Sequence, residues 1–289
     1  MVTFHVRNHG RAGRLPLTAS GTRVGRAPAV WADHDTLRSQ GHASYFARNG
    51  MTVLPGLLSP SEVEFCSRGI DQMIAGWEGI PNVRVIGKRN PRAPSYDLED
   101  RPGPAGGTVV RKVTGFSQLS AALCHCLVEH PALIDALHLI LGDRVELYRD
   151  AIMFKAAEVG QEKPWHQDAV YWPFRPMNLV SAMIAIDRSS PENGCLQVVP
   201  GSHRRVVEHQ KVNWELQVDP AACERDSVYI PLEPGDCLIF HSLLLHASAH
   251  NTSRHRRRVS ITSYSPGGLE ILDPDLDPPV LISDLSDRV

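Results

Sequence analysis

LVSAMIAIDRSSPENGCLQVVPG, residues 179–201, sets two short apolar runs around the turn signal Pro191-Glu192-Asn193-Gly194 and stops at Pro200-Gly201. From Val145 onward the same texture repeats. Short runs rich in Val, Ile, Tyr and Phe alternate with turn residues, as at Pro234-Gly235-Asp236. Runs of that length, punctuated that often, predict an all-β sandwich or jelly roll.

Upstream the pattern is helical. Ser59-Pro60-Ser61-Glu62 marks a helix start: Ser59 caps, Pro60 suits the first turn and Glu62 completes a capping box. Val63, Cys66, Ile70, Met73, Ile74 and Trp77 follow at helical spacing and give one buried face. A first helix is expected over 35–48 and a strand over Met51–Leu54. A second helical stretch is expected from Ser117 to Leu141, interrupted at Pro131 and capped at Gly142-Asp143. Residues 81–108, rich in Pro, Gly and charge, read as a long loop and a candidate lid. The fold class is therefore mainly β with a helical N-terminal part, the helices packed on one face of the β core. An extended basic arm is expected over 1–35 and a single domain over 36–270. Its helical part covers about 36–142 and its β core about 143–265, and 271–289 form a tail.

The bulk properties exclude several classes. The chain has 289 residues and a formal net charge of −2, with no overall pull toward nucleic acid or an anionic membrane. No apolar run approaches the roughly 20 residues of a membrane helix. No apolar segment of a signal peptide stands near Met1, and the C-terminal Ser286-Asp287-Arg288-Val289 is not a peroxisomal address, so a cytoplasmic location is expected. Six cysteines are scattered without paired spacing, which indicates neither a disulfide framework nor a zinc knuckle.

The chemistry concentrates in Trp165-His166-Gln167-Asp168. On an extended segment His166 and Asp168 share a face. Trp165, Tyr171, Trp172 and Phe174 supply an aromatic wall. A second histidine is offered by His241 or His246, since Cys237–Leu245 reads as a buried strand with His246 at its end. Two imidazoles and one carboxylate cap one face of a divalent metal and leave positions open, the ligand set of non-haem Fe(II) oxygenases. Arg257, in phase with Val259 and Ile261, is the inward one of three consecutive arginines; Arg256 and Arg258 are expected on a solvated face. A buried arginine needs an anion, and a bound carboxylate is a reasonable one.

In this order, Pro164-Trp165-His166-Gln167-Asp168, Tyr171-Trp172-Pro173-Phe174-Arg175-Pro176, Glu192-Asn193-Gly194-Cys195-Leu196, Pro200-Gly201-Ser202-His203, Gly235-Asp236, Phe240-His241, His246-Ala247-Ser248, Asn251 and Arg257 resemble the phytanoyl-CoA dioxygenase family of Fe(II)/2-oxoglutarate oxygenases. The resemblance covers roughly residues 40–265. It implies a double-stranded β-helix (jelly-roll, cupin-like) core, with His166, Asp168 and His246 as catalytic metal ligands. It also implies that Arg257 pairs with the distal carboxylate of 2-oxoglutarate, supported by Ser248, Lys112 and Gln167, while His203 is structural. Fe(II), 2-oxoglutarate and O₂ would be required, with ascorbate as the reductant in vitro. At Met183 the chain departs from the family's namesake, which looks to carry tryptophan there.

An aspartate at 168 argues for oxygenation, because related halogenases have Gly or Ala in its place. Tyr148, Met153, Tyr171, Trp172 and Phe174 suggest a small, largely hydrophobic substrate, although each could equally be core. Arg175 is a candidate for an anionic group. Hydroxylation or another oxidation of an unactivated C–H in natural-product tailoring is the expected role, and 2-hydroxylation of an acyl-CoA is the alternative. A zinc hydrolase, which gives Arg257 no task, and a non-catalytic metal-binding jelly roll, which would bind metal without consuming O₂, are remoter readings. Nothing in the sequence fixes the oligomeric state.

Overall fold

The computed structural model describes residues 40–75, 90–100, 108–212 and 215–286. The basic arm and Trp77 lie outside these residues. In chain order, α1 (Gln40–Asn49) leads into β1 (Met51–Leu54) and α2 (Pro60–Ala75), followed by β2 (Ser95–Asp100) and β3 (Thr108–Thr114). Helices α3 (Phe116–Leu119), α4 (Ala121–Leu127) and α5 (Pro131–Leu141) precede the long strand β4 (Arg144–Lys155). Then come β5 (Lys163–His166), β6 (Phe174–Arg175), β7 (Val180–Ala185), β8 (Leu196–Val198), β9 (Gln210–Val212) and β10 (Glu215–Gln217). The chain continues through β11 (Val228–Ile230), β12 (Cys237–His241), β13 (His246–Ser248), β14 (Arg257–Ser265), β15 (Glu270–Ile271) and β16 (Val280–Asp284).

Two antiparallel sheets make the core. The large one runs β1-β12-β7-β14-β4-β3-β2 with β16 also on β4, and the small one runs β11-β8-β13-β5. Between them Met51, Met183, Leu238, Phe240 and Val259 meet Leu196, Val198 and Ile230. Alternation along each strand sends the other parity outward. There Leu54, Ile152, Ile184 and Tyr264 pack against Ile70, Leu123, Leu127 and Leu137 of the helices. The expected jelly roll with helices on one face is what forms.

Local signals explain the helix ends. The Ser59 amide donates to Glu62 Oε2 at 2.7 Å and the Glu62 amide to Ser59 Oγ at 3.3 Å, the reciprocal pair anticipated for α2. Gly142, at φ +94°, ends α5. The single stretch expected over Ser117–Leu141 is instead three helices. Ser120 is extended and its hydroxyl accepts from the Leu123 amide at 3.2 Å, so a strong cap restarts the helix there. Among the described residues no single helix is long and apolar enough to cross a membrane; α4 and α5 pass that test only as a pair bent by 52°.

Three further expectations change. Part of the segment read as a lid, Ser95–Asp100, is a strand paired with β3. Residues 271–289, read as a tail, contain β16, which pairs with the first half of β4 beyond the reach of β3 and satisfies backbone groups that would otherwise form an open edge. Cys237–Leu245 is not one strand. It turns after His241, and His246 opens β13 in the other sheet.

Candidate metal centre

β5 and β13 lie side by side in the small sheet with His166 and His246 in register. The two rings stand 4.1 Å apart between centroids. Asp168 follows β5 as the first residue of a short 3₁₀ turn. Its Oδ1 is 3.5 Å from His166 Nε2 and 3.9 Å from His246 Nε2. On each ring the far nitrogen is anchored: His166 Nδ1–H donates to the Pro164 carbonyl at 2.8 Å, and His246 Nδ1–H to the Leu244 carbonyl at 2.8 Å. That fixes the tautomer with both Nε2 lone pairs turned to the carboxylate, as metal-ligating histidines require.

The three donor atoms lie within 4.8 Å of one another, so one divalent ion can be held by all three. Burial, and then the His166 charge, lowers the His246 ring to about 4, which keeps its lone pair free. Burial raises the Asp168 carboxyl, but the His166 contact and the charges of His246, His166 and Arg149 outweigh it and hold the group well below the usual carboxylate range. His241, the other candidate, is not part of the group. Its Nδ1 accepts from the Leu243 amide at 3.0 Å and its ring packs 5.4 Å from His203. His203 in turn lies over Gly50, where a Cβ would come within 2.5 Å of the imidazole.

A cationic pocket lies on the facing sheet. Lys155 and Arg257 are register partners on β4 and β14, on the same interior face as Met153 and Val259. Arg257 is 5% exposed, donates through Nη2 to the Gly194 carbonyl at 2.7 Å, and keeps a buried Nε–H with no partner. Burial lowers its pKa to about 10. Burial, reinforced by the Arg257 charge, lowers Lys155 from 10.5 to about 7. The Lys155 ammonium donates to the Gln161 carbonyl at 2.7 Å, to the Ser248 carbonyl at 3.3 Å and to the Ala249 carbonyl. Lys155 and Arg257 put two buried cations side by side, with Glu99 and Glu162 the acids whose charge reaches Lys155; an adjacent pair of this kind can accept an anion. Ser248, two residues after His246 in β13, is on the face that carries His246. Lys112 is in register with Met153, one rung from the pair.

Lys155 was not singled out in the sequence, nor was the task of Asn251. The Asn251 amide donates to the carbonyls of Lys155, Ala156 and His255 at 3.1, 3.0 and 2.8 Å, tying the end of β4 to the start of β14. The turn before β8 is built for the same purpose. Gly194 adopts φ +78°, and a Cβ there would lie 2.3 Å from the Ala249 carbonyl and 3.0 Å from the Lys155 side chain.

Other candidates fall elsewhere. Gln167 is fully buried but turned away from the metal donors. Its amide donates to the Arg205 and Leu243 carbonyls at 2.8 and 2.6 Å and accepts from the Val207 amide at 3.0 Å, because strand alternation puts it opposite His166. Arg258 is 2% exposed rather than solvated, since α2 covers that face. It meets Asp187 at 2.7 Å and Asp71 at 3.0 Å, while Arg256 pairs with Asp71 on the surface. Tyr148, Trp172 and Phe174 pack on one another, with Tyr148 centroids 5.5 and 4.8 Å from the other two rings. Tyr171 is 40% exposed, its ring 6.1 Å from His166 and its hydroxyl donating to the Leu216 carbonyl at 2.9 Å. Arg175 is exposed opposite Glu270. A cavity of about 430 Å³ beside α2 and β3, lined by Ile74, Leu98, Val109 and Phe154, does not include the three donors.

A jelly roll carrying a two-histidine, one-carboxylate face opposite two buried cations defines the class of iron- and 2-oxoglutarate-dependent dioxygenases. The chain belongs to the phytanoyl-CoA dioxygenase (PhyH) family, whose sequence model matches residues 46–259. It is 25% identical over 244 residues to the peroxisomal phytanoyl-CoA dioxygenase of Mus musculus, covering 79% of this chain and 69% of that one. With a probable alpha-ketoglutarate-dependent hypophosphite dioxygenase of Stutzerimonas stutzeri it shares 30% over 229 residues, 75% of this chain and 74% of the other. The fold is similar to that of the epimerase SnoN, solved with Fe3+, alpha ketoglutarate and nogalamycin RO, at a TM-score of 0.64, 20% identity, and 83% and 88% coverage. Against the phytanoyl-CoA dioxygenases it matches, the chain spans between 52% and 69% of their length.

Proposed function

We propose that His166, Asp168 and His246 hold Fe(II), and that Arg257, with Ser248 and Lys112, binds the distal carboxylate of 2-oxoglutarate. The single observation that carries this is the buried Arg257 Nε–H without a partner, set beside Lys155 on the sheet that faces the three donors. The residues fit both groups. The donor set suits a divalent ion with open positions, and the adjacent Arg257 and Lys155 cations suit a carboxylate. When bound, iron and the keto acid supply O₂ activation coupled to decarboxylation to succinate and CO₂. The protein orients both and keeps water out of the space between the sheets.

The substrate reading is a small, largely hydrophobic molecule oxidised at an unactivated C–H in natural-product tailoring. The interior face of Met153, Ala151 and Val259 supports an apolar body, and SnoN belongs to nogalamycin biosynthesis. An acyl-CoA is the alternative, supported by the names of the phytanoyl-CoA dioxygenase relatives. We infer no nucleic-acid partner from the near-neutral charge, and we propose the cytoplasm as the compartment. The test is succinate formation by purified protein with Fe(II), ascorbate, 2-oxoglutarate and O₂. Slow turnover without substrate is expected, and it should vanish in Asp168→Ala. Equal succinate from the variant would overturn the ligand assignment.

A further inference from the structure

Arg149 lies on the same interior face as Lys155 and Arg257, at the opposite end of β4. The rungs across β4, β14 and β7 read Lys155–Arg257, Met153–Val259–Ala185, Ala151–Ile261–Met183 and Arg149–Ser263–Ser181. At about 3.3 Å per residue, roughly 20 Å of strand separates the two cationic ends. The Arg149 guanidinium stands 5.5 Å above the Trp172 ring, on the approach to Asp168, whose carboxylate feels its charge. Among the described residues it has no hydrogen-bond acceptor and no acid within ion-pair distance. The contrast with its neighbours is informative: Arg258 has Asp187 and Asp71, Arg144 has Glu146 and Asp284, and Arg257 has at least the Gly194 carbonyl.

The rest of that rung is polar as well. Ser181 and Ser263 are fully buried and share one hydrogen bond of 3.0 Å. One of the two hydroxyls donates to the other, which leaves one O–H with no acceptor in the protein. Register partners stand about 5 Å apart at Cβ, so a half-buried arginine and a buried serine pair share one rung at the end of an otherwise apolar face. A hydrophobic substrate alone gives neither of them a partner. A carboxylate takes two parallel N–H donors from arginine and a third hydrogen bond from a hydroxyl.

We infer that the substrate carries an acidic group, a carboxylate, held by Arg149 with the Ser181–Ser263 pair. Its apolar body runs over Trp172 and Ala151 so that a carbon beyond the acid faces the metal donors. The inference rests on the oxygenase reading and names the substrate class for it: an apolar acid anchored at the end of the roll remote from Arg257. The co-substrate and the substrate then occupy the two cationic ends of one face, with the metal donors opposite the apolar rungs between them.

The experiment uses the full chain loaded with Ni(II), which cannot turn over, and saturated with 2-oxoglutarate so that the Arg257 end is filled. Aliphatic monocarboxylates from hexanoate to tetradecanoate and 3-phenylpropionate are titrated calorimetrically beside their primary amides. At least one acid should bind about tenfold or more tighter than its amide, the fold-change of a single charge-assisted pair. Arg149→Met should erase that preference and Arg149→Lys should keep part of it, as a point charge without the fork would. Ser263→Ala should narrow the preference without removing it. Acids and amides that bind alike, no acid that binds, or a preference that survives Arg149→Met would each overturn the inference. Should Arg149→Met not fold, an undiminished preference in Arg149→Lys and Ser263→Ala together would overturn it. The 2-oxoglutarate titration that precedes these steps reads the oxygenase assignment separately. Failure there removes both readings, whereas success there with no acid preference removes only this one.

Discussion

Replacing Arg257 with methionine should move stability and co-substrate affinity in opposite directions. Burial lowers the guanidinium from 12.5 to about 10, so holding it charged in the interior costs the fold about 3 kcal/mol. Methionine removes that cost and the 2.7 Å bond to the Gly194 carbonyl, which is worth about 1–2 kcal/mol. The protein without ligand should therefore melt at the wild-type temperature or slightly above it. Co-substrate binding loses a buried charge-assisted pair, and the keto acid's distal carboxylate is left to Ser248, Lys112 and the neighbouring Lys155. A loss of about 3–5 kcal/mol, roughly two to three and a half orders of magnitude in affinity, is expected. Differential scanning calorimetry of the metal-loaded protein with and without 2-oxoglutarate reads both numbers at once. A variant that unfolds several degrees early yet keeps wild-type affinity would refute the reasoning, because Arg257 would then be a structural tie to the turn at Gly194.

Lys155 should report the co-substrate through protons. The folded protein releases this proton near pH 7, whereas the unfolded chain keeps it to about 10.4, so stability should rise with pH across that window, and the cost is fully present below about 7. A bound carboxylate raises the group again, so 2-oxoglutarate binding at pH 8 should take up close to one proton, seen as a buffer-dependent heat. Lys155→Met should lose both effects; an unchanged uptake would assign the proton elsewhere. Gly194→Ala must place a Cβ against the Ala249 carbonyl at φ +78°, and it should cost about 2 kcal/mol or more while weakening 2-oxoglutarate through the displaced Gly194 carbonyl. A variant as stable and as tight as wild type would show that the turn relaxes freely. Asp187→Asn should lower the melting temperature by several degrees, since Arg258 is 2% exposed and loses its fork partner, but leave 2-oxoglutarate affinity alone; a matching loss of affinity would show that the two faces of β14 are coupled.

The parts legible in the sequence are those whose cause is local. The Ser59–Glu62 box is four consecutive residues satisfying each other's amides, and the turn at Pro191–Gly194 is a proline and a glycine setting their own dihedrals. His166, Asp168 and Arg257 follow from alternation along single strands. Where the cause was a partner distant in sequence, the reading failed. Nothing beside Arg258 announces Asp71 or Asp187, which lie on α2 and after β7, so alternation alone placed it in solvent. Gln167 lies between two metal donors and invited a pocket role, but it staples the segments at Arg205, Val207 and Leu243 to β5. His241 and His246 could not be separated by pattern, because the turn that moves the chain from one sheet to the other falls between them.

Lys155 and Arg149 escaped for a more general reason. A cation in a strand is ordinarily a solvated residue at the edge or on the outer face, and β4 carries two of them, Arg149 and Lys155, at odd positions around Ala151 and Met153. Only the register with β14 shows that this parity faces the other sheet. Once it does, Lys155 stands out as penalised to about 7, and Arg149, half-buried, has an aromatic face and no anion. A fold does not keep charge between two sheets for stability, since an apolar side chain of similar volume would serve as well or better. The charges therefore belong to what enters the roll. With one at each end of a face roughly 20 Å long, two separate anions are better accommodated than one, and a keto acid occupies only the end at Arg257.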